Sequence, residues 1–240
     1  MKSDISRRHF VTSAATAVTM TTTSAPSLAE SVDVPLATVP RGASESVPFH
    51  FDREAFAAVL DRPYPHRQVV APTSFVRATV GMAHFQNALN AYADPAGFAA
   101  GPDSLHCAAV LFGGYSYNMV LDDAMFAKYP IGLLCDREMR PNDTSARAFW
   151  KALRRNPMME TLNPLIASGV SFFVCNNALT SISVELARRT SANGAPVTRA
   201  RIIDIHDELA AHFVPNTMLV PAGVAALIAL QESRFTFLPE

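Results

Sequence analysis

Gly169-Val170-Ser171-Phe172-Phe173-Val174-Cys175-Asn176-Asn177-Ala178-Leu179 is the stretch on which the fold of this chain turns. The apolar run Val170 to Val174 reads as a strand, and the segment from Asn176 to Arg189 reads as a helix. Cys175 then stands at the strand's carboxyl end, facing a helix N-terminus. In open α/β sheets ligands bind at that junction, and the unpaired N–H groups and positive dipole end of a helix favour thiolate over thiol. Cys175 is therefore the candidate for chemistry, with Asn176 and Asn177 as the backbone donors beside it. The competing reading is a small buried apolar residue, a common role for cysteine.

Working outward, the same alternation repeats. Downstream come the turn Asn193-Gly194, a helix from about Ile202 to His212, a strand Met218 to Val220, a helix Gly223 to Gln231 and an apolar run Phe235 to Leu238 whose strand direction the sequence leaves open. Upstream lie a strand at Val69 to Ala71, a helix from about Ser74 to Ala93 and a strand Cys107 to Phe112. The spacing Phe75, Thr79, Met82, Phe85, Leu89, Tyr92 puts one apolar face on that helix. Strands alternating with helices predict a three-layer α/β/α sandwich with a mainly parallel sheet of about five strands.

Gly113-Gly114-Tyr115 follows the second strand. A glycine pair there lets the backbone approach either a small ligand or another backbone, so the pair reads as a ligand loop or as a tight turn. Asp122 and Asp123 point in different directions on a helix and read as a solvated or intersubunit acidic patch. The stretch from about 131 to 164 interrupts the alternation with Cys135, Asp136, Arg137, Arg140, Pro141, Asn142, Trp150, Arg154, Arg155 and Pro157. It reads as a cap over Cys175, with Tyr115, Arg137 and Arg140 as candidates to cover it, or as a packing or oligomer-contact hairpin.

The first residues carry Ser6-Arg7-Arg8-His9-Phe10-Val11, a weakly apolar stretch and then Ser27-Leu28-Ala29. This order of charge, apolar run and small-residue site is that of a twin-arginine export signal, so residues 1–29 are excluded from the fold and cleavage is expected near Ala29. The twin-arginine translocase is the expected partner and the periplasm the expected compartment. Residues 30–66 form a Pro-rich linker or arm lying on the body, in which only Asp52 to Leu60 can make a helical turn or two. The α/β domain occupies 67–240.

Cleavage removes three of 20 basic residues (Lys2, Arg7, Arg8) and one of 21 acidic residues (Asp4), leaving a net charge of −3. That balance does not favour nucleic acid or an anionic membrane surface. No stretch is long and apolar enough to span a bilayer stably once the signal is removed. The three cysteines, Cys107, Cys135 and Cys175, are odd in number and far apart, leaving an interchain disulfide through Cys107 or Cys135 as one use. The seven histidines are scattered. No zinc-type spacing occurs, and only His206 and His212, near acidic residues, suggest a metal at all. No metal or cofactor is therefore expected.

The Gly169 to Leu179 stretch, together with Leu219-Val220-Pro221-Ala222-Gly223-Val224-Ala225-Ala226-Leu227, Leu230-Gln231 and the closing aromatic run, resembles the DsrE-like sulfur-relay proteins of the DsrE, DsrF and TusD type. The resemblance covers most of residues 67–238. Asn118 to Gly132, with Leu121-Asp122-Asp123-Ala124-Met125-Phe126-Ala127-Lys128-Tyr129, is similar to the exported, twin-arginine branch of that family. What this implies is a flavodoxin-like sandwich, a homotrimer or homohexamer, and a cysteine after the central strand that carries a persulfide between a sulfur donor and an acceptor. Cys175 is similar in position to that cysteine. Asn176 and Asn177 stand where several members have other small or basic residues, and Cys107 and Cys135 match no cysteine motif of the family. Known relays act on cytoplasmic partners, whereas this chain carries an export signal.

Two functions follow. One is a sulfur carrier using Cys175. The other is a non-catalytic periplasmic module for small-ligand binding or oligomeric assembly, in which Cys175 is structural and no base stands beside it.

Overall fold

The computed structural model describes residues 45–135, 144–191 and 195–239. The expected signal with Arg7 and Arg8, the first part of the arm, the segment holding Arg137 and Arg140, and the Asn193-Gly194 turn lie outside these residues.

Five strands form one sheet: β1 (His66–Val70), β2 (Leu105–Leu111), β3 (Ser171–Cys175), β4 (Thr217–Val220) and β5 (Thr236–Leu238). Their order is β4-β3-β2-β1-β5 and every pairing is parallel. The expected three-layer α/β/α sandwich is thus present, and the strand of undetermined direction, β5, runs parallel to β1. β2 and β3 are buried along their whole length, which is why they read as unbroken apolar runs.

Successive strand residues enter different cores. Val70, Cys107, Leu111, Phe172 and Val174 pack on one face against α2 (Phe75–Ala93), α6 (Met159–Ala167), α7 (Asn176–Thr190) and α8 (Arg199–Ala211). Val69, Val110, Phe173 and Val220 pack on the other against α1 (Arg53–Leu60) and α9 (Gly223–Glu232). The helix of the Pro-rich arm, α1, is therefore part of the second layer. Within α2 the inward residues Phe75, Ala78, Met82, Phe85 and Leu89 recur at three- and four-residue steps, and Ser74 caps the helix by accepting from Arg77 N at 3.1 Å.

The excursion between β2 and β3 supplies α3 (Asp123–Lys128), α4 (Ile131–Cys135), α5 (Thr144–Ala152) and α6. Its described parts are packing elements. The Trp150 ring meets Phe75 edge-on at 5.7 Å, and buried Asn156 donates to Met119 O and Leu121 O, each at 2.6 Å. Asp122 and Asp123 remain accessible to solvent, and both are also tied within the chain. Asp122 caps α3 through Met125 N and holds His212 Nδ1 at 2.7 Å, while Asp123 accepts from Asn156 N at 2.8 Å. An aspartate just ahead of a helix satisfies an N–H that the helix cannot.

The crossovers leading to β2, β3 and β4 each step one strand and lie on the first face. The crossover from β4 through α9 lies on the other and traverses the whole sheet. At the carboxyl edge the chain consequently leaves β3 and β4, which are neighbours, toward opposite faces. A crevice between adjacent strands whose connections diverge is where ligands bind in open α/β sheets.

Candidate functional site

Cys175 occupies that crevice. It is the last residue of β3, pairs in register with Val220 at the end of β4, and is the N-cap of the 15-residue helix α7. Its backbone is extended, φ −71° and ψ 124°, so the chain enters the helix through it. The thiol makes no capping hydrogen bond to the backbone of Asn176 or Asn177, contrary to the donor role expected for them, and the residue is only 6% exposed.

Asn176 and Asn177 turn their side chains to other tasks. Asn176, 3% exposed, donates through Nδ2 to Val47 O at 2.8 Å, and its Oδ1 lies 2.8 Å from His206 Nε2. Because Oδ1 only accepts, this contact is donated by His206 Nε2–H. The other ring nitrogen of His206 lies 3.0 Å from Asp207 Oδ1. Buried His206 thus sits one residue from the candidate thiol without touching it, in a role the sequence had raised only as a metal ligand. Asn177 accepts from the Ser46 hydroxyl.

Residues 45–51 cross this edge. Val47, 1% exposed, belongs to the core of the first face, while Phe51 packs into that of the second and helps line an apolar cavity of about 150 Å³ with Phe56, Val220, Pro221 and Ala222. Pro48, Phe49 and His50 therefore link a residue held by α7 to one packed at the end of β4, the two elements that adjoin Cys175. Val47 N donates to Thr180 Oγ1 at 3.0 Å, and Arg199 donates to Glu45 O at 2.6 Å and Ser46 O at 2.9 Å. From Phe49 an aromatic ladder runs through Phe51 and Phe56 to Phe173 beneath, at centroid spacings of 6.5, 5.7 and 5.3 Å.

Gly113, Gly114 and Tyr115 emerge from β2, the strand beside β3, at the same edge. Their carbonyls are taken up by protein N–H groups. A Cβ on Gly113 would lie 3.0 Å from Thr73 Cα, and Gly114 O accepts from Phe75 N at 3.0 Å. The glycine pair answers another backbone, the loop after β1. Tyr115 adopts the left-handed conformation, φ 57°, and caps the short 3-10 turn Ser116–Val120 without a side-chain bond. Gly223 serves the same edge: a Cβ there would meet the Phe112 side chain at 2.6 Å.

The other cysteines are structural. Cys107 is 1% exposed and burial pushes its thiol up to about 12. Cys135 is fully buried and receives Asn118 Nδ2 at 3.6 Å. Neither is at the surface, so neither can form the interchain disulfide that the cysteine count had left open. Among the described residues no group of three or more His, Cys, Asp or Glu could hold a metal, and no helix is long and apolar enough to cross a membrane.

At the amino edge of the sheet lies a separate polar cluster. His106, 2% exposed, has Nε2 3.1 Å from Ser171 Oγ and meets Tyr64 at a tilt and Phe235 edge-on. Burial, then the charges of Arg62 and Arg67, lower its pKa to about 4. Arg67 ties this end together by donating to the carbonyls of Leu60, Arg62, Tyr64 and Ser233. A scan of family models, a search of curated proteins and a search of solved structures each return no match for this chain.

Proposed function

We propose that this is an exported DsrE-like protein that carries sulfane sulfur as a persulfide on Cys175. The observation that supports the reading is the position of Cys175 in the crevice where the connections of β3 and β4 diverge, at the N-terminus of α7. In this role the Cys175 thiolate attacks the outer sulfur of a donor persulfide R–S–S⁻, forming Cys175–S–S⁻ and releasing R–S⁻. An acceptor thiolate then attacks the outer sulfur and Cys175–S⁻ leaves. Each step exchanges one thiolate for another, so no external oxidant or reductant is consumed. Export by the twin-arginine translocase places the exchange in the periplasm, with a donor and an acceptor met there.

Self-association belongs to the same proposal. The helix α9 is apolar nearly all round, yet leaves Val224 57% and Ile228 51% exposed one turn apart, a face that a homotrimer or homohexamer would cover.

The competing reading, a non-catalytic binding or assembly module with a structural Cys175, draws on the low exposure of that residue and the cover over it. Intact mass separates the two. Residues 30–240, wild type and Cys175→Ser, are treated with polysulfide and desalted. The sulfur-carrier reading expects a gain of about one or two sulfur masses in wild type alone. No gain, with the thiol inert to alkylation until denaturation, establishes the structural role.

A further inference from the structure

The segment Glu45–Pro48 is held as a bound peptide is held. Both backbone groups of Val47 are engaged, its N–H by Thr180 Oγ1 at 3.0 Å and its carbonyl by Asn176 Nδ2 at 2.8 Å. The two preceding carbonyls share the Arg199 guanidinium. One side chain, Val47, is sunk to 1% exposure, and Pro48 after it biases the chain to the extended form. Main-chain hydrogen bonds supplying affinity and a single buried side chain supplying selectivity are the pattern of extended-peptide recognition. The receiving residues come from only two elements, the first turns of α7 and of α8.

We propose that the surface made by Asn176, Asn177, Thr180 and Arg199 is a binding site for an extended peptide with a small β-branched anchor, filled in cis by Glu45–Pro48, and that this occupant controls access to Cys175. The control follows from the path of the chain, since Val47 lies in one core and Phe51 in the other while Cys175 lies at the edge between them. The occupant competes from its own tether, so its effective concentration is of millimolar order and an unassisted small reagent meets a closed site. A macromolecular partner opens the site by offering its own extended segment to α7 and α8. This rests on the sulfur-carrier reading only for what Cys175 does once reached.

The test is the alkylation rate of Cys175 by iodoacetamide, read by intact mass on the mature chain. Val47→Asp, which puts a charge in the buried anchor position, is expected to accelerate alkylation at least tenfold. Val47→Gly, which empties the anchor position without adding a charge and keeps the protein folded if Val47→Asp does not, is expected to accelerate it several-fold. Thermal melts verify that each variant scored is folded. A synthetic peptide spanning Glu45–Phe51, added at millimolar concentration to the folded opened variant, is expected to restore slow alkylation.

Equal rates in wild type and a folded variant overturn the gate, and acceleration that the peptide does not reverse overturns the peptide site. Acceleration reversed by peptide, in a variant that gains no sulfur from polysulfide, upholds the site while removing the persulfide reading.

Discussion

His206 Nε2 and Asn176 Oδ1 meet at 2.8 Å in the buried contact between α8 and α7, and the same asparagine holds the Val47 carbonyl with its amide nitrogen. One side chain thus joins three segments immediately after Cys175.

Truncating it leaves two buried partners without a hydrogen bond. Asn176→Ala is expected to destabilise the fold by about 3 kcal/mol, whereas Thr180→Val, which removes one acceptor, costs about 1 kcal/mol. Urea denaturation of the two variants measures both. In a double-mutant cycle with His206→Leu the losses should be less than additive, because the second change removes a partner already abandoned. Additive losses would show that the Asn176–His206 contact is energetically idle.

The buried His106 makes stability depend on pH with a defined sign. Its folded pKa of about 4 lies below the 6.5 of the unfolded chain, so between these values the unfolded state binds a proton that the native state refuses. Stability is complete above about pH 6.5, falls as the pH drops toward 4, and stops falling for this reason below that. The span corresponds to about 3 kcal/mol as an order of magnitude. Denaturation midpoints between pH 4 and 7 should show the slope in wild type and a shallower one in His106→Gln.

Cysteine reactivity should be graded by position. With its thiol at about 12, Cys107 is expected to resist alkylation at pH 8 in the folded protein and to react only on unfolding. Peptide mapping after a timed pulse of iodoacetamide measures it, and modification of Cys107 in the native state would contradict the burial described.

Close backbone contacts set a further prediction. A Cβ on Gly132 would fall 2.2 Å from the Trp150 carbonyl oxygen, so Gly132→Ala must separate α4 from α5. A loss of about 2–3 kcal/mol is expected in thermal or urea melts. Gly101→Ala meets nothing within 4 Å but has φ +89°, so its smaller cost, about 1 kcal/mol, is backbone strain alone.

The sandwich was legible because β3 and β2 are apolar runs flanked by segments of helical period, and that contrast survives in a single sequence. Cys175 could be placed at the strand end for the same reason. The strap could not. Glu45 to Phe51 lacks periodicity, and its contacts with Asn176, Thr180 and Arg199 join positions more than a hundred residues apart. Nor could the tasks of Asn176 and Asp123 be read, because each is fixed by a partner on another element. The one local signal was the pair Asn176 and Thr180, four apart and hence on one helix face. It marked a polar stripe without naming what lay along it.

The pairing of Gln68 with Thr236 has a consequence for how the molecule comes together. β1 finds one neighbour, β2, after a single helix, but its other neighbour is the last strand in the sequence. Until that strand arrives, the backbone of Gln68 to Val70 is an open sheet edge, the surface on which nascent chains stick to one another. Closing so large a loop is slow, so the hazard lasts for most of the folding time. Docking of the final strand is the step that closes this edge, and shielding β1 until then is the assistance its topology calls for.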